Sequence, residues 1–274
     1  MSDSLVPKET LEKINRNQVS NFALKFHKFA RFDGDKFLFF KTDKGKIIFN
    51  DVENFNFPSI NFNNLCKEIS EAAKKLFPTI NYVKKLIIDW RLTLGLGSES
   101  VYETSINLHP VYGFPYIPGQ SIKGVVRSWV ILEYFNKDEE KAYQSETFCH
   151  LFGCPKESIL NKEYQGALVF FDAYPIETPK LKVDVMNPHY QPYYSDKTNT
   201  KPPADYYNPN PIFFVTVENT SFQFIIGIKE TENNLGKIDN IQGHYFDLGK
   251  KFLLEALTQK GVGAKTAVGY GYFK

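Results

Sequence analysis

Cysteine is scarce in these 274 residues: Cys66, Cys149 and Cys154 are too few, and odd in number, for a disulfide framework. The segment Met1-Ser2-Asp3-Ser4-Leu5 lacks the charged-then-apolar layout of a secretory signal, so a reducing cytoplasm is the expected compartment. Long apolar runs are missing as well. Val125 to Phe135 is interrupted by Arg127 and Glu133 and falls short of the ~18–20 residues of a membrane helix. Charge of one sign is lacking, because the formal net charge is only +2, so any electrostatic footprint for an acidic partner must be local. Metal-ligand spacing is poor: Cys149-His150 with Cys154 has no second pair to complete a site, and buried free thiols are the simpler reading. The five histidines His27, His109, His150, His189 and His244 are scattered. His109 and His189 fall in expected loops and stay as candidate general bases of a nuclease. Neither a cofactor nor a metal is implied.

What is present is a large apolar fraction, 42% with 16% aromatic, enough for a sizeable core. Helices are expected at Asn21 to Arg31 and Asn61 to Phe77, with a hairpin over Lys36 to Phe49 turning at Thr42-Asp43-Lys44-Gly45. In Asn61 to Phe77, Leu65, Ile69, Ala72, Ala73 and Leu76 recur at helical spacing, and Pro78 ends the run. Lys85 to Leu94 reads as a strand, and Ser121 to Phe135 as a helix with Ser121 as its N-cap. Glu139 to Leu151 reads as a second helix, with strands following at Ala167 to Ala173 and Leu181 to Met186. Residues 187–211 hold six prolines and five tyrosines, which favours a loop over a helix or central strand. Ile212 to Val217 and Phe222 to Ile228 suggest a hairpin around Glu218-Asn219-Thr220-Ser221, Tyr245 to Gln259 an amphipathic helix, and Thr266 to Phe273 a closing strand. From residue 81 the order is strand, helix, strand, strand, helix, strand. That implies an α+β chain with a ferredoxin-like, RRM-like core over 81–274, an N-terminal extension over 1–80 that packs on it, and a Pro/Tyr-rich insertion at about 175–211.

Two segments could carry chemistry. Gly261-Val262-Gly263-Ala264-Lys265-Thr266-Ala267-Val268-Gly269-Tyr270-Gly271 combines four glycines with one lysine. Glycine opens backbone conformations closed to other residues, and successive free N–H groups make a nest for phosphate oxygens. It is not an ATPase phosphate loop, since Ala264 precedes Lys265 and a strand is expected to follow. A turn serving only sheet closure is the structural alternative. The second segment, Tyr116-Ile117-Pro118-Gly119-Gln120-Ser121-Ile122-Lys123-Gly124-Val125-Val126-Arg127, delivers a helix whose amino end carries Ser121, Lys123 and Arg127. Lys123 and Arg127 are four apart and share a face. The alternative is an ordinary capped helix with two solvated cations. Lysine is locally in excess near the C-terminus, where five lysines between Lys250 and Lys274 face one carboxylate, Glu255. Tyr190, Tyr193, Tyr194, Tyr206 and Tyr207 could stack on bases or on a neighbouring protein, or pack on their own domain.

These segments, with Asp184 to Tyr194 and the strand Phe213 to Val217 followed by Phe222 to Phe224, resemble the RAMP superfamily of CRISPR proteins. Within it they resemble the family of sixth subunits of Cmr (type III-B) effector complexes. The resemblance spans Tyr82 to Lys274. It implies a RAMP fold, guide RNA held near its 3′ portion, target RNA as a second candidate partner, and contacts to neighbouring RAMP subunits of a Cmr complex. Related filament-forming subunits cut target RNA with an aspartate in the loop after the first strand. The matching stretch Gly95 to Pro118 has Glu99, Glu103 and His109 but no aspartate, which fits binding without cleavage; Glu103 stays open as a substitute. Ser121, Lys123, Arg127, Gly261, Gly263, Lys265, Thr266 and Gly269 are therefore the expected RNA contacts. The rival readings are a metal-independent endoribonuclease acting on CRISPR repeat RNA and a scaffold docking through its tyrosine-rich insertion.

Overall fold

The computed structural model describes residues 6–14, 18–29, 32–33, 36–37, 42–43, 46–47, 50–78, 81–100, 102–198, 200–204, 206, 208–209 and 211–274. The chain divides into two compact units. One comprises Met1–Pro58, Gly95–Phe114 and Lys180–Val217, the other Ser59–Leu94, Pro115–Pro179 and Glu218–Lys274. This division cuts across the expected boundary at residue 80 and splits the expected 175–211 insertion at residue 180.

In the first unit, the helix Phe22–His27 begins at Asn21, whose side chain accepts the Leu24 N–H at 3.0 Å. It is shorter than the periodicity suggested. Phe22 and Phe26 are buried, and Phe22 packs on Phe55 and Phe57 while Phe26 packs on Tyr102. Lys180–Met186 and Ile212–Glu218 are neighbouring strands. The expected hairpin over Lys36 to Phe49 takes the form of two short ladders, Phe32–Asp33 with Lys36–Phe37 and Thr42–Asp43 with Lys46–Ile47; Lys44 and Gly45 of its turn lie outside the described residues.

The second unit is built on an antiparallel sheet. Its elements are α1 (Phe62–Leu76), β1 (Asn81–Ile87), α2 (Gly119–Tyr134), β2 (Val169–Phe170), β3 (Tyr174–Pro175), β4 (Ser221–Gly227) and α3 (Tyr245–Glu255). β4 pairs along one edge with β1 and along the other with β2 and β3. Beyond β1, Phe273 bridges Ile88, and the Lys274 and Ile87 amides exchange hydrogen bonds at 2.9 and 3.1 Å. Both faces of β4 are buried, so the alternation in its sequence does not mark one wet side. Phe222 and Phe224 meet Phe273 edge-on, on the face where Phe273 donates its amide to Leu257. On the other face the Gln223 amide donates to the Cys66 carbonyl of α1 at 2.9 Å, and Gly227 lies against the Phe77 ring, where a Cβ would come within 2.4 Å. Burial of each such phenylalanine contributes about 1.5–3 kcal/mol.

The fold departs from four expectations. Ile212 to Val217 and Phe222 to Ile228 form no hairpin ladder, because both hydrogen-bonding edges of β4 are already occupied by β1 and by β2 with β3. Glu139 to Leu151 is two helices, Glu139–Tyr143 and Glu146–Phe152, since Ser145 caps the second by accepting the Phe148 N–H at 3.3 Å. The first expected strand is broken: β1 ends at Ile87, and only Arg91–Leu92 resumes extended pairing. The closing strand is absent over 266–268, which form a 3₁₀ turn preceded by Lys265 in the left-handed region at φ 61°.

Candidate nucleic-acid interface

The amino end of α2 is built differently from a simple anion trap. Pro118 occupies the N-cap position with φ −59°, its fixed ring conformation leading into the helix, and makes no side-chain cap. Ser121 is therefore not the N-cap; it sits at the third helical position, exposed, with its amide bonded to the Pro118 carbonyl at 2.9 Å. The anion at this end is internal, because the Gly119 N–H donates to Oδ1 of Asp172 at 2.7 Å. Gly119 is required there, since a Cβ would lie 2.2 Å from the Phe170 carbonyl oxygen.

Lys123 and Arg127 share a face as the spacing demands, and neither is a fully solvated cation. Burial, then the nearby Arg127 charge, holds the Lys123 ammonium below the ordinary lysine range. Lys123 makes no hydrogen bond or ion pair among the described residues. Arg127 is engaged: its Nη2 donates to Glu139 at 2.5 Å and to the Tyr143 hydroxyl at 2.8 Å, and its guanidinium lies over the Tyr143 and Phe148 rings. That network ties α2 to the helices that follow it and occupies the guanidinium face expected to meet RNA.

The glycine-rich segment splits into a sealed pair and an open loop. Gly261 and Gly271 are buried at φ 73° and 79°, and a Cβ on Gly271 would lie 2.0 Å from the Val262 oxygen. The Val262 N–H donates to Gly271 at 2.9 Å and the Gly271 N–H to Arg91 at 2.7 Å. These two serve sheet closure, the structural alternative weighed above. Gly263 and Gly269 are exposed at φ 99° and 94°, with Lys265 and Thr266 half-buried between them. Gly263 allows the backbone to pass Thr93, where a Cβ would be 2.3 Å from the carbonyl oxygen. The amides of Thr266 and Ala267 have no acceptor among the described residues.

Beside this loop lies Trp90, within the run Lys85 to Leu94 expected as a strand. The indole is 49% exposed; it packs on Tyr270 with ring centroids 4.8 Å apart, and the Arg91 guanidinium sits 5.3 Å from its own centroid. Gly269 abuts the ring, with a Cβ position 3.8 Å away. Arg91 also pairs with Glu218 at 3.3 Å. The available signal was a tryptophan flanked by Asp89 and Arg91 directly after an apolar run. The residue just before this loop reaches the middle of α2: Nζ of Lys260 donates to Oγ of Ser128 at 2.7 Å, about 7.5 Å along the helix axis from Lys123 at ~1.5 Å rise per residue.

The remaining candidates are dispersed. Nδ1 of His109 accepts the Val111 and Tyr112 amides at 3.2 Å each, and its ring stacks on Phe114, so it organises its own turn. His189 is exposed beside Tyr190. His150 meets the Tyr245 hydroxyl at 3.1 Å, and burial with the nearby Lys28 lowers the pKa of His27. All three thiols are free; burial pushes Cys66 up to about 11, and burial with a Cys154 contact pushes Cys149 up to about 12. Among the described residues no group of three or more His, Cys, Asp or Glu could hold a metal ion. Glu99 and Glu103 are exposed. In the insertion Tyr194 and Tyr206 are strongly exposed, and Tyr207 lies outside the described residues. No helix among the described residues is long and apolar enough to cross a membrane.

The sequence pattern of the RAMP superfamily matches residues 91–274. The CRISPR system Cmr subunit Cmr6 of Pyrococcus furiosus is 38% identical over 229 residues, covering 66% of this chain and 64% of that protein. The CRISPR system CMR subunit Cmr6 of Saccharolobus solfataricus is 27% identical over 222 residues, covering 74% of this chain and again 64% of the relative. The chain thus spans just under two thirds of the length of the relatives it matches. A chain in the cryo-EM structure of the type III-B Cmr-beta bound to cognate target RNA superimposes with a TM-score of 0.57 at 23% identity, over 81% of this chain and 67% of that one, a likeness of fold.

Proposed function

The chain belongs to the RAMP superfamily, and from that premise we propose that it is an RNA-binding subunit of a type III-B Cmr ribonucleoprotein that holds guide RNA by its backbone and cuts nothing. In this reading it grips the guide near its 3′ portion in the cytoplasm, with neighbouring RAMP subunits and target RNA as further partners. Its core is ferredoxin-like; the spatial order of β3, β4, β1 and the C-terminal segment, with α2 and α3 in the connections, supports that.

One observation carries the reading. The open stretch Gly263 to Gly269 presents two main-chain amides without acceptors among the described residues, beside a half-exposed tryptophan with a guanidinium at its ring. Amides and Lys265 suit phosphate oxygens, which carry no base identity, and an indole stacks on any base. A guide of any spacer sequence would then fit. Because Arg127 is held by Glu139 and Tyr143, the working contacts of this loop are Gly263, Lys265, Thr266, Gly269 and Trp90.

The test uses the full chain with unrelated single-stranded RNAs and with labelled CRISPR repeat RNA. Unrelated sequences should bind with similar affinity, since phosphate contacts carry no sequence information, and the repeat should emerge intact. Strong sequence preference would overturn backbone recognition; cleavage products would replace binding with the endoribonuclease reading.

A further inference from the structure

A shallow depression of about 420 Å³, open to solvent, lies beside α2, lined by Lys123, Arg127, Tyr143, Tyr164, Gln165 and Cys154 among others. It falls within the ~300–1,000 Å³ of small-ligand pockets. Its lining holds two cations and no carboxylate, and none of residues 261–271. The two cations are not equivalent. Glu139, outside the lining, neutralises Arg127, whereas Lys123 stands half-buried without a counter-ion among the described residues. An ammonium drawn out of water without a partner is costly, and an anion in the depression would offset that cost. The walls add a second preference. Tyr143 and Tyr164 supply aromatic surface, Lys162 lies 5.9 Å from the Tyr164 ring centroid, and the exposed Gln165 amide can both donate and accept.

We propose that this depression is a second, mononucleotide-sized site, taking a phosphate monoester at Lys123 and a nucleobase against Tyr164. It does not rest on the glycine-rich loop binding RNA. The phosphate could belong to a free nucleotide or to the terminus of an RNA chain, and the two sources share this chemistry.

Titration of the full chain with uridine 5′-monophosphate, followed by calorimetry and by the ring resonances of Tyr164, tests the site. The monophosphate should bind and uridine should not. Lys123→Gln should weaken the monophosphate by about ten- to 100-fold, the loss of one charge-assisted hydrogen bond. Lys123→Arg should restore most of it, and Lys265→Ala should leave it unchanged. Competition by a 5′-phosphorylated but not a 5′-hydroxyl oligonucleotide would identify an RNA end as the ligand. Absence of such competition, with monophosphate binding intact, would identify a free nucleotide. The proposal fails if uridine binds as well as its monophosphate, if Lys123→Gln binds as the parent does, or if the Tyr164 ring does not respond. The last readout needs no variant, so it stands even where Lys123→Gln folds poorly. Loss of RNA binding in Trp90→Ala with monophosphate binding retained would separate the two sites.

Discussion

Replacing Trp90 by alanine should produce two effects that can be told apart. The indole is 49% exposed, so about half of the ~150–250 Å² that such a side chain can bury covers Tyr270 and the Gly269 backbone. At ~25 cal/mol per Å² the folding cost is about 2–3 kcal/mol, an upper figure because denatured chains already bury some surface. The exposed half is what a base would cover, and one stacked base is worth ~1–3 kcal/mol, or about 5- to 150-fold in affinity. Anisotropy of a labelled single-stranded RNA, recorded well below both melting temperatures, isolates the second effect from the first. Stacking releases no counter-ions, so the plot of log affinity against log salt should drop without changing slope. Trp90→Phe should recover most of the loss. If Trp90→Ala binds like the parent, or if its deficit fades with salt as a lost charge would, the platform is not a base-stacking surface.

Lys265→Ala should act in the opposite manner, flattening the salt slope by ~0.7 for a single strand, so that the gap from the parent narrows about threefold between ~50 and ~200 mM salt. Gly271→Ala and Gly124→Ala should diverge in thermal melting. The first forces a Cβ to 2.0 Å from the Val262 oxygen at φ 79° and should lose at least about 2 kcal/mol. The second meets nothing within 4 Å on α2 and should gain ~0.5–1 kcal/mol; shifts of the same sign would refute the geometry. Asp196 accepts the side chain and amide of Thr198 and the amides of Lys201 and Thr200, which hold its carboxyl well below the usual range. A depressed folded value stabilises the loop above the unfolded value of ~3.9, and that contribution is lost as pH falls through the folded one. The Thr198 and Thr200 amide resonances should therefore hold constant from neutral pH to about 4 and move only below it; a midpoint above 4 would contradict this.

The helical segments were legible because their periods are local. Leu65, Ile69, Ala72, Ala73 and Leu76 predicted α1, and Tyr245 to Gln259 predicted the span of α3, though not that its last turn, Ala256–Lys260, is π-helical. Strand pairing was less legible, since it depends on which edges are already taken. The run Ile212 to Ile228 looks like a hairpin until β1 and β3 fill both sides of its second half. Of the site, the glycine-rich loop was visible as composition, yet composition cannot say which glycine is sealed and which is open; Gly271 and Gly269, two residues apart, differ entirely. Asp172 at the α2 amino end and Glu139 on Arg127 are partners 53 and 12 residues away, beyond any local motif.

The contact between the Gln223 amide and the Cys66 carbonyl carries a consequence for how the sheet finds its alignment. A strand that is greasy on both sides has little in its hydrophobicity to distinguish its two orientations, so beyond the close fit of Gly227 against Phe77 a slide by one position would exchange two apolar surfaces. A single amide that must meet one particular carbonyl breaks that degeneracy. Shifted by one, β4 would bury Gln223 among Phe273 and its neighbours with nothing to bond, and the misaligned sheet would be rejected for that reason.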